Sequence, residues 1–203
     1  MTQLTDQPKL GRKRDLSRDP EILDAALEVL AETGYDGMTI DMVATRAKAG
    51  KATVYRRWAS KAELVIDAVA CMKKEDLSPE ALPDTGTLRG DLVAMIKPHN
   101  IQDAEKKLRV MAGLMSLLAS NPELAETARE AIVEPRAAVN RMFLQRAIDR
   151  GEISADVDIN LVASISQSMV SFRTLMLRKT VTREYLISVL DDVVLPAAGL
   201  PKA

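Results

Sequence analysis

The sequence has one cysteine, Cys71, and one histidine, His99, among its 203 residues. A lone thiol closes no internal disulfide, and one thiol with one imidazole is too few soft ligands for a structural zinc site. Any hydrolytic triad would have to run through His99. That residue stands in the turn-like run Lys97-Pro98-His99-Asn100 with no nucleophile motif beside it, where a solvated loop histidine is the ordinary occupant. Glycine-rich phosphate loops and H-E-x-x-H patterns are missing as well. No catalytic residue, metal or cofactor is therefore expected. The longest nearly uncharged apolar stretch, Val110 to Ala119, is about half of the roughly 20 residues that a membrane helix needs. No basic-then-apolar leader opens the sequence, so the expected setting is the cytoplasm, with no membrane partner. Excess charge is lacking too: 28 Lys plus Arg face 29 Asp plus Glu, for a net charge of −1. With 47% hydrophobic residues, the chain has the composition of a folded globular protein.

Period-2 runs of β-branched residues are also scarce, whereas Ala, Leu, Glu, Arg and Met fill long segments punctuated by nine glycines and nine prolines. The fold class read from this is all-α. Residues 1–18 are polar and carry Lys9, Arg12, Lys13, Arg14 and Arg18, which reads as a flexible basic arm. Asp19-Pro20-Glu21 offers an N-cap, a proline in the first turn and an early acid, opening a helix through Ile22, Ala26, Leu27 and Leu30 that Gly34 stops. Thr39 caps a short helix, Ile40 to about Ala47. Lys48-Ala49-Gly50 turns the chain, and a second short helix runs from Lys51 to Trp58. Ser60-Lys61-Ala62-Glu63 is a capping box that starts a longer helix to about Lys74. The division expected is therefore an arm (1–18), an N-terminal helical domain (19–74, its two short helices within about 40–59) and a C-terminal helical domain (75–203). Leu77 to Gly90 reads as the connection. Farther on, Asn121-Pro122 and Asp158 open helices, Pro135 kinks or breaks one, Gly151 ends one, and Thr182 opens the last, which Pro196 is expected to stop.

The even charge balance hides a local excess: Arg46, Lys48, Lys51, Arg56, Arg57 and Lys61 lie between positions 46 and 61 with no acid among them. Such a cluster is either a solvated face offset by acids elsewhere in the fold or the footprint of nucleic acid. Its geometry favours the second. Two short helices joined by a three-residue turn, behind a support helix, describe a helix-turn-helix whose second helix fits a major groove. Lys51 and Arg56 suit guanine acceptors, Thr53 and Tyr55 suit phosphate oxygens, and Ala52 leaves room for a thymine methyl. Lys61, with the amides of the next helix start, suits a phosphate.

Thr39-Ile40-Asp41-Met42-Val43-Ala44, Lys51-Ala52-Thr53-Val54-Tyr55-Arg56-Arg57-Trp58 and Ser60-Lys61-Ala62-Glu63-Leu64 together resemble the DNA-binding domain of TetR-type transcriptional regulators. The resemblance runs from Asp19 to Met72. It implies an N-terminal three-helix DNA-binding domain on a helical C-terminal domain that dimerises and often binds a small effector, in a bacterial cytoplasmic protein that works at the nucleoid. It places DNA contacts on Thr39, Lys51, Ala52, Thr53, Tyr55, Arg56, Arg57 and Lys61. The chain departs from the family in the turn, where Lys48 replaces a glycine that often takes a positive φ and Gly50 replaces a hydroxyl N-cap. Lys48 there adds a candidate phosphate contact but strains or rewinds the turn.

In the C-terminal half, Val162, Ile165, Met169, Phe172 and Met176 are spaced 3 and 4 apart, and Leu186, Leu190 and Val193 extend the pattern on the last helix. This is either an internal core stripe or, as favoured here, a seam between two copies of the chain, with Ser164, Ser168 and Ser171 allowing close approach. Met95, Met111, Met115, Met142 and Phe143 form either plain core or a pliable effector pocket, to which Arg109, Arg141 or Arg173 could bring a charge. The expected function is that of a repressor: a homodimer on a palindromic DNA operator, released by a small molecule. The alternative is a helical ligand- or partner-binding protein whose helix-turn-helix no longer reads DNA.

Overall fold

The computed structural model describes residues 18–73, 82–96 and 101–202, with side chains from 105 onward in the last segment. The basic arm before Arg18, the start of the connection with Pro79, and the His99 turn lie outside the described residues. Those described are helical and contain no strand. The helices are α1 (Asp19–Gly37), α2 (Ile40–Arg46), α3 (Lys51–Tyr55), α4 (Lys61–Lys73), α5 (Leu88–Ala94), α6 (Ile101–Ser120), α7 (Ala125–Ala128), α8 (Glu134–Asp149), α9 (Ile159–Ser171), α10 (Arg183–Val189) and α11 (Leu195–Ala197).

Local chemistry sets the N-terminal boundaries. Gly34 takes φ 68° and its carbonyl accepts the Met38 N–H at 3.1 Å, so the straight part of α1 stops there. Thr39 caps α2 by accepting the Met42 N–H at 3.2 Å. Ser60 accepts the Glu63 N–H at 3.1 Å, while the Glu63 carboxylate reaches back to the Ala59 N–H at 2.8 Å, one residue before the partner expected in a capping box. Asp19 does not cap α1. The cap position is Arg18, and Asp19, already helical, pairs with Arg57 instead.

Buried side chains form two clusters. The first joins α1–α4 (Leu30, Val43, Val54, Trp58, Leu64) to Val110, Leu114 and Leu117 of α6, Ala128 of α7 and Ile132 just beyond it. The second gathers α5, α8, α9 and the last helices around Phe143, Leu144 and Leu190. Helices α1 and α6 lie close because α6 carries Gly113 opposite the buried Leu30. A β-carbon there would come within 2.6 Å of the leucine side chain.

Three expectations on proline and its neighbours hold only in part, each for a physical reason. Asn121 makes no side-chain cap for the 3₁₀ turn Pro122–Leu124; its amide donates to the Leu117 carbonyl at 2.8 Å and closes α6. Pro196 is followed by one more helical residue, Ala197, and Pro135 sits in the first turn of α8, where the segment is interrupted by a π-turn rather than ended. A proline ring crowds the carbonyl four residues back. In both places a π-turn ends two residues ahead of the proline: Arg129–Val133, where the Glu134 N–H reaches the Arg129 carbonyl, and Leu190–Val194, where the Leu195 N–H reaches that of Leu190. The wider turn lets the helix run through the proline. The helix ends at Ala197, and Gly199 at φ 86° turns the chain away.

Candidate nucleic-acid interface

The α2–α3 turn keeps its left-handed residue although a lysine fills it: Lys48 has φ 49°. The Lys48 N–H reaches the Thr45 carbonyl at 3.1 Å and the Ala49 N–H reaches that of Ala44 at 2.8 Å, the paired bonds of a Schellman helix end. Arg18 adds a clasp by donating to the Ala47 and Lys48 carbonyls at 2.8 and 3.2 Å. Lys48 is therefore strained but not rewound, which removes the ground for a disabled helix-turn-helix. Replacing Lys48 with glycine is expected to stabilise the protein by about 1 kcal/mol, since a side chain in the left-handed region costs about that much. Thermal denaturation of Lys48→Gly checks this, and an unchanged or lowered midpoint would refute it.

With Gly50 as an uncapped start, α3 buries Val54, and Trp58 follows it into the core at 5% exposure. The Trp58 indole N–H donates to Asp67 of α4 at 2.8 Å. This fixes the outward face. Ala52, Tyr55 and Arg56 are exposed, Thr53 is half-buried and accepts from Arg56 at 3.0 Å, and Thr39 and Lys48 stand exposed beside them.

The basic cluster is not uniformly free. Arg46 bonds to Glu32 at 2.7 Å and Glu28 at 3.2 Å, tying α2 to α1 and holding the Glu32 carboxyl below its usual range. Lys51 sits 2.9 Å from Asp41, whose hydrogen bond raises the lysine pKa. Arg57, half-buried, pairs with Asp19 and donates to the Thr53 carbonyl at 3.2 Å. Lys61 donates to the Tyr35 and Met38 carbonyls at 2.8 and 3.0 Å and lies 4.1 Å from the Tyr35 ring centre. Two of the sequence-derived contacts, Arg57 and Lys61, are thus engaged in holding the three helices together. Lys48 and Arg56 meet no carboxylate among the described residues. Arg18, assigned to the arm on composition, turns out to be a structural clasp, and no local pattern marks it.

The family model "Bacterial regulatory proteins, tetR family" matches residues 22–68, and "Tetracyclin repressor-like, C-terminal domain" matches residues 82–193. The chain belongs to the TetR family. Among relatives of this TetR-family protein, an uncharacterized HTH-type transcriptional regulator of Mycobacterium tuberculosis is 34% identical over 197 residues, covering 97% of this chain and 95% of that one. A DNA-binding transcriptional repressor TetR of Mycobacteroides abscessus is 32% identical over 183 residues, covering 90% and 94%. The crystal structure of the regulator FadR from Bacillus subtilis in complex with stearoyl-CoA shares the fold at TM-score 0.57 and 19% identity, covering 88% of this chain and 97% of that one. This TetR-family protein is accordingly a DNA-binding transcriptional regulator and not an enzyme.

The C-terminal half of the regulator divides the expected seam among three environments. Val162 and Leu190 are buried in the second cluster, with Ile165 and Met169 packed on it. Leu186 and Leu190 line a cavity, and Val193 is half-buried. Phe172 and Met176 are exposed at 52% and 73%, and Leu161, which the pattern missed, at 64%. The heptad spacing is present, but only Val162 and Ala163 of α9 are buried, and the sequence does not say which side is internal.

The cavity, about 1460 Å³, lies between the two clusters and takes in Met95 and Met111 of the expected pocket. Phe143 is fully buried and Met142 packs on the same second cluster, whereas Met115 is 37% exposed, so these three belong to core or surface. Arginines at 141 and 173 are engaged elsewhere, with Glu134 and with the Thr180 carbonyl, and Arg109 faces an outer groove. Ser164, Ser168 and Ser171 line the cavity, as do Lys73, Lys107, Arg136 and Lys179. Lys107, Leu108 and Met111 recur at helical spacing on α6, a signal that could have found this wall.

Proposed function

We propose that this chain is a repressor that binds a palindromic operator as a homodimer and leaves it when a small molecule fills the cavity. The observation that carries the reading is the outward face of α3, where Ala52, Tyr55 and Arg56 stand exposed beside Thr39 and Lys48 on a helix anchored by Val54 and Trp58. On this reading Arg56 meets a base edge, Ala52 a thymine methyl, Thr39, Thr53 and Tyr55 phosphates, and Lys51 exchanges Asp41 for the backbone. Arg57 and Lys61 serve by fixing the angle of α3. The apolar side chains of Leu161, Phe172 and Met176 give a second copy a surface to cover, and two copies present two recognition helices to half-sites one helical turn apart. A protein with this role works in the cytoplasm, at the nucleoid.

Release has a structural route. Asp67 both lines the cavity and accepts the indole N–H of Trp58, the residue that ends the recognition segment. A ligand that moves α4 moves α3 with it, and shifts the population toward a form with misplaced recognition helices.

Gel-shift titration against DNA upstream of the gene tests the DNA reading. Arg56→Ala is expected to weaken operator binding by about 1–3 kcal/mol and to relax specificity at one position. Equal weakening on all sequences would show that Arg56 touches only phosphate. Lys48→Gly, though more stable, is expected to lose affinity on every sequence and to reduce the salt slope by about 1.

A further inference from the structure

The cavity is large for a small-molecule site, about 1460 Å³ against a usual range of roughly 300–1,000 Å³, and much of its wall is apolar, with Leu23, Met72, Leu108, Met111, Ile132 and Leu190. Among the described residues its charge is one-sided. Lys73, Lys107, Arg136 and Lys179 face it against a single described carboxylate, Asp67, which is engaged with Trp58. Lys73, Lys107 and Lys179 have no carboxylate partner among the described residues. Elsewhere in this protein cations are commonly matched: Arg46, Arg89, Arg129, Arg141 and Arg150 all meet acids. Lys73 and Lys179 are exposed and Lys107 is half-buried, so these cations keep their water in the single chain and stand where an anionic head would meet them while its apolar tail lies along the wall.

We propose that the cavity takes an amphipathic anion, a long apolar chain carrying one carboxylate or phosphate head, with the head held between Lys73 of α4 and Lys107 of α6. This names the ligand class for the effector reading above and rests on it. Lys73 is exposed, yet surrounding protein and the charge of Lys107 push its pKa down, which marks the two lysines as neighbours that one anionic head can bridge. Lys73 lies on the helix that also carries Asp67, so a head group bridging α4 and α6 acts on the element that holds Trp58. A neutral ligand of the same length would fill the wall but leave the lysines as they are.

Cys71, exposed and part of the cavity wall, reports occupancy directly, because it is the only thiol in the chain. The experiment measures the rate at which a thiol reagent modifies Cys71 in the full-length protein, with palmitate, palmitoyl-coenzyme A or 1-hexadecanol below their aggregation limits. Either anionic compound is expected to slow modification at least tenfold, and the tighter of the two identifies the head group. The double variant Lys73→Gln/Lys107→Gln is expected to need at least tenfold more anionic ligand while its response to hexadecanol is unchanged. Operator affinity without ligand and helix content, both as in the parent, show that the variant folds. Equal protection by hexadecanol and palmitate, or an unaltered double variant, overturns the anion site. Protection by none of the three overturns the ligand class altogether. Release is read separately by gel shift with the same compounds: protection without loss of operator binding keeps the ligand class and overturns effector release.

Discussion

Phe172→Asp combined with Met176→Asp is expected to leave the chain monomeric and to weaken operator binding on the order of a thousandfold. Both side chains are mostly in solvent in a single copy, at 52% and 73% exposure, with Leu161 and Leu177 at 64% and 48%. An exposed apolar set of this kind marks a contact surface. Carboxylates on both copies would have to be buried facing one another, which costs far more than the apolar contact contributes. The loss on DNA follows from geometry, since one recognition helix reads only a half-site and specific binding falls toward the non-specific level, commonly 10³-fold or more weaker. Because neither side chain belongs to a core cluster, helix content and melting of the single chain should survive. Sedimentation at micromolar concentration decides the point: a variant that still runs at twice the chain mass would remove this surface from the interface.

Asp91→Ala is expected to be the most damaging single change away from the DNA face, at about 3 kcal/mol. The Asp91 carboxylate is fully buried at the start of the C-terminal half. It accepts the Thr85 N–H at 2.6 Å and the Thr85 hydroxyl at 2.9 Å, and Arg150 reaches it at 3.3 Å. Arg150 also holds Glu152 at 3.0 Å, and the Glu152 carboxylate receives the Leu88 N–H at 2.8 Å, so the network closes the first turn of α5 onto the end of α8. Alanine leaves the part-buried Thr85 amide without its acceptor, leaves the Thr85 hydroxyl only the Thr87 carbonyl at 3.3 Å, and takes one counter-charge from Arg150. For a chain of this length the midpoint should fall by roughly 6–12 °C. Asp91→Asn, which keeps an acceptor for Thr85 but not the charge, should lose less. A calorimetric change below about 1 kcal/mol for the alanine variant would show that the network is dispensable.

Much of the DNA-reading unit could be read from the sequence because its signals are local. Thr39, Gly34 and the Ser60–Glu63 pair act within four residues of where they stand, and Val54 and Trp58 announce their inward face by spacing alone. Long-range partners could not be read. Arg57 and Arg56 are adjacent and identical in chemistry, yet one meets Asp19, 38 residues away, and the other faces solvent. Prolines misled for a related reason, since π-turns at Arg129–Val133 and Leu190–Val194 absorb what a uniform helix could not. In the C-terminal half the apolar periodicity was present, but core, cavity and outer surface all call for the same residue types, and packing alone assigns Val162 to one and Phe172 to another.

The first buried cluster runs without a break from Val54 and Trp58, behind the recognition helix, to Leu114 and Ile132 beyond the connection. A head that shares its core with the body has no melting transition of its own. Backbone amides of α3 are then expected to exchange as the whole cluster opens, and a ligand bound to the wall formed by α4 and α6 is expected to slow exchange in a helix it never touches. On the effector reading proposed above, sensing and reading are two readouts of a single cooperative unit.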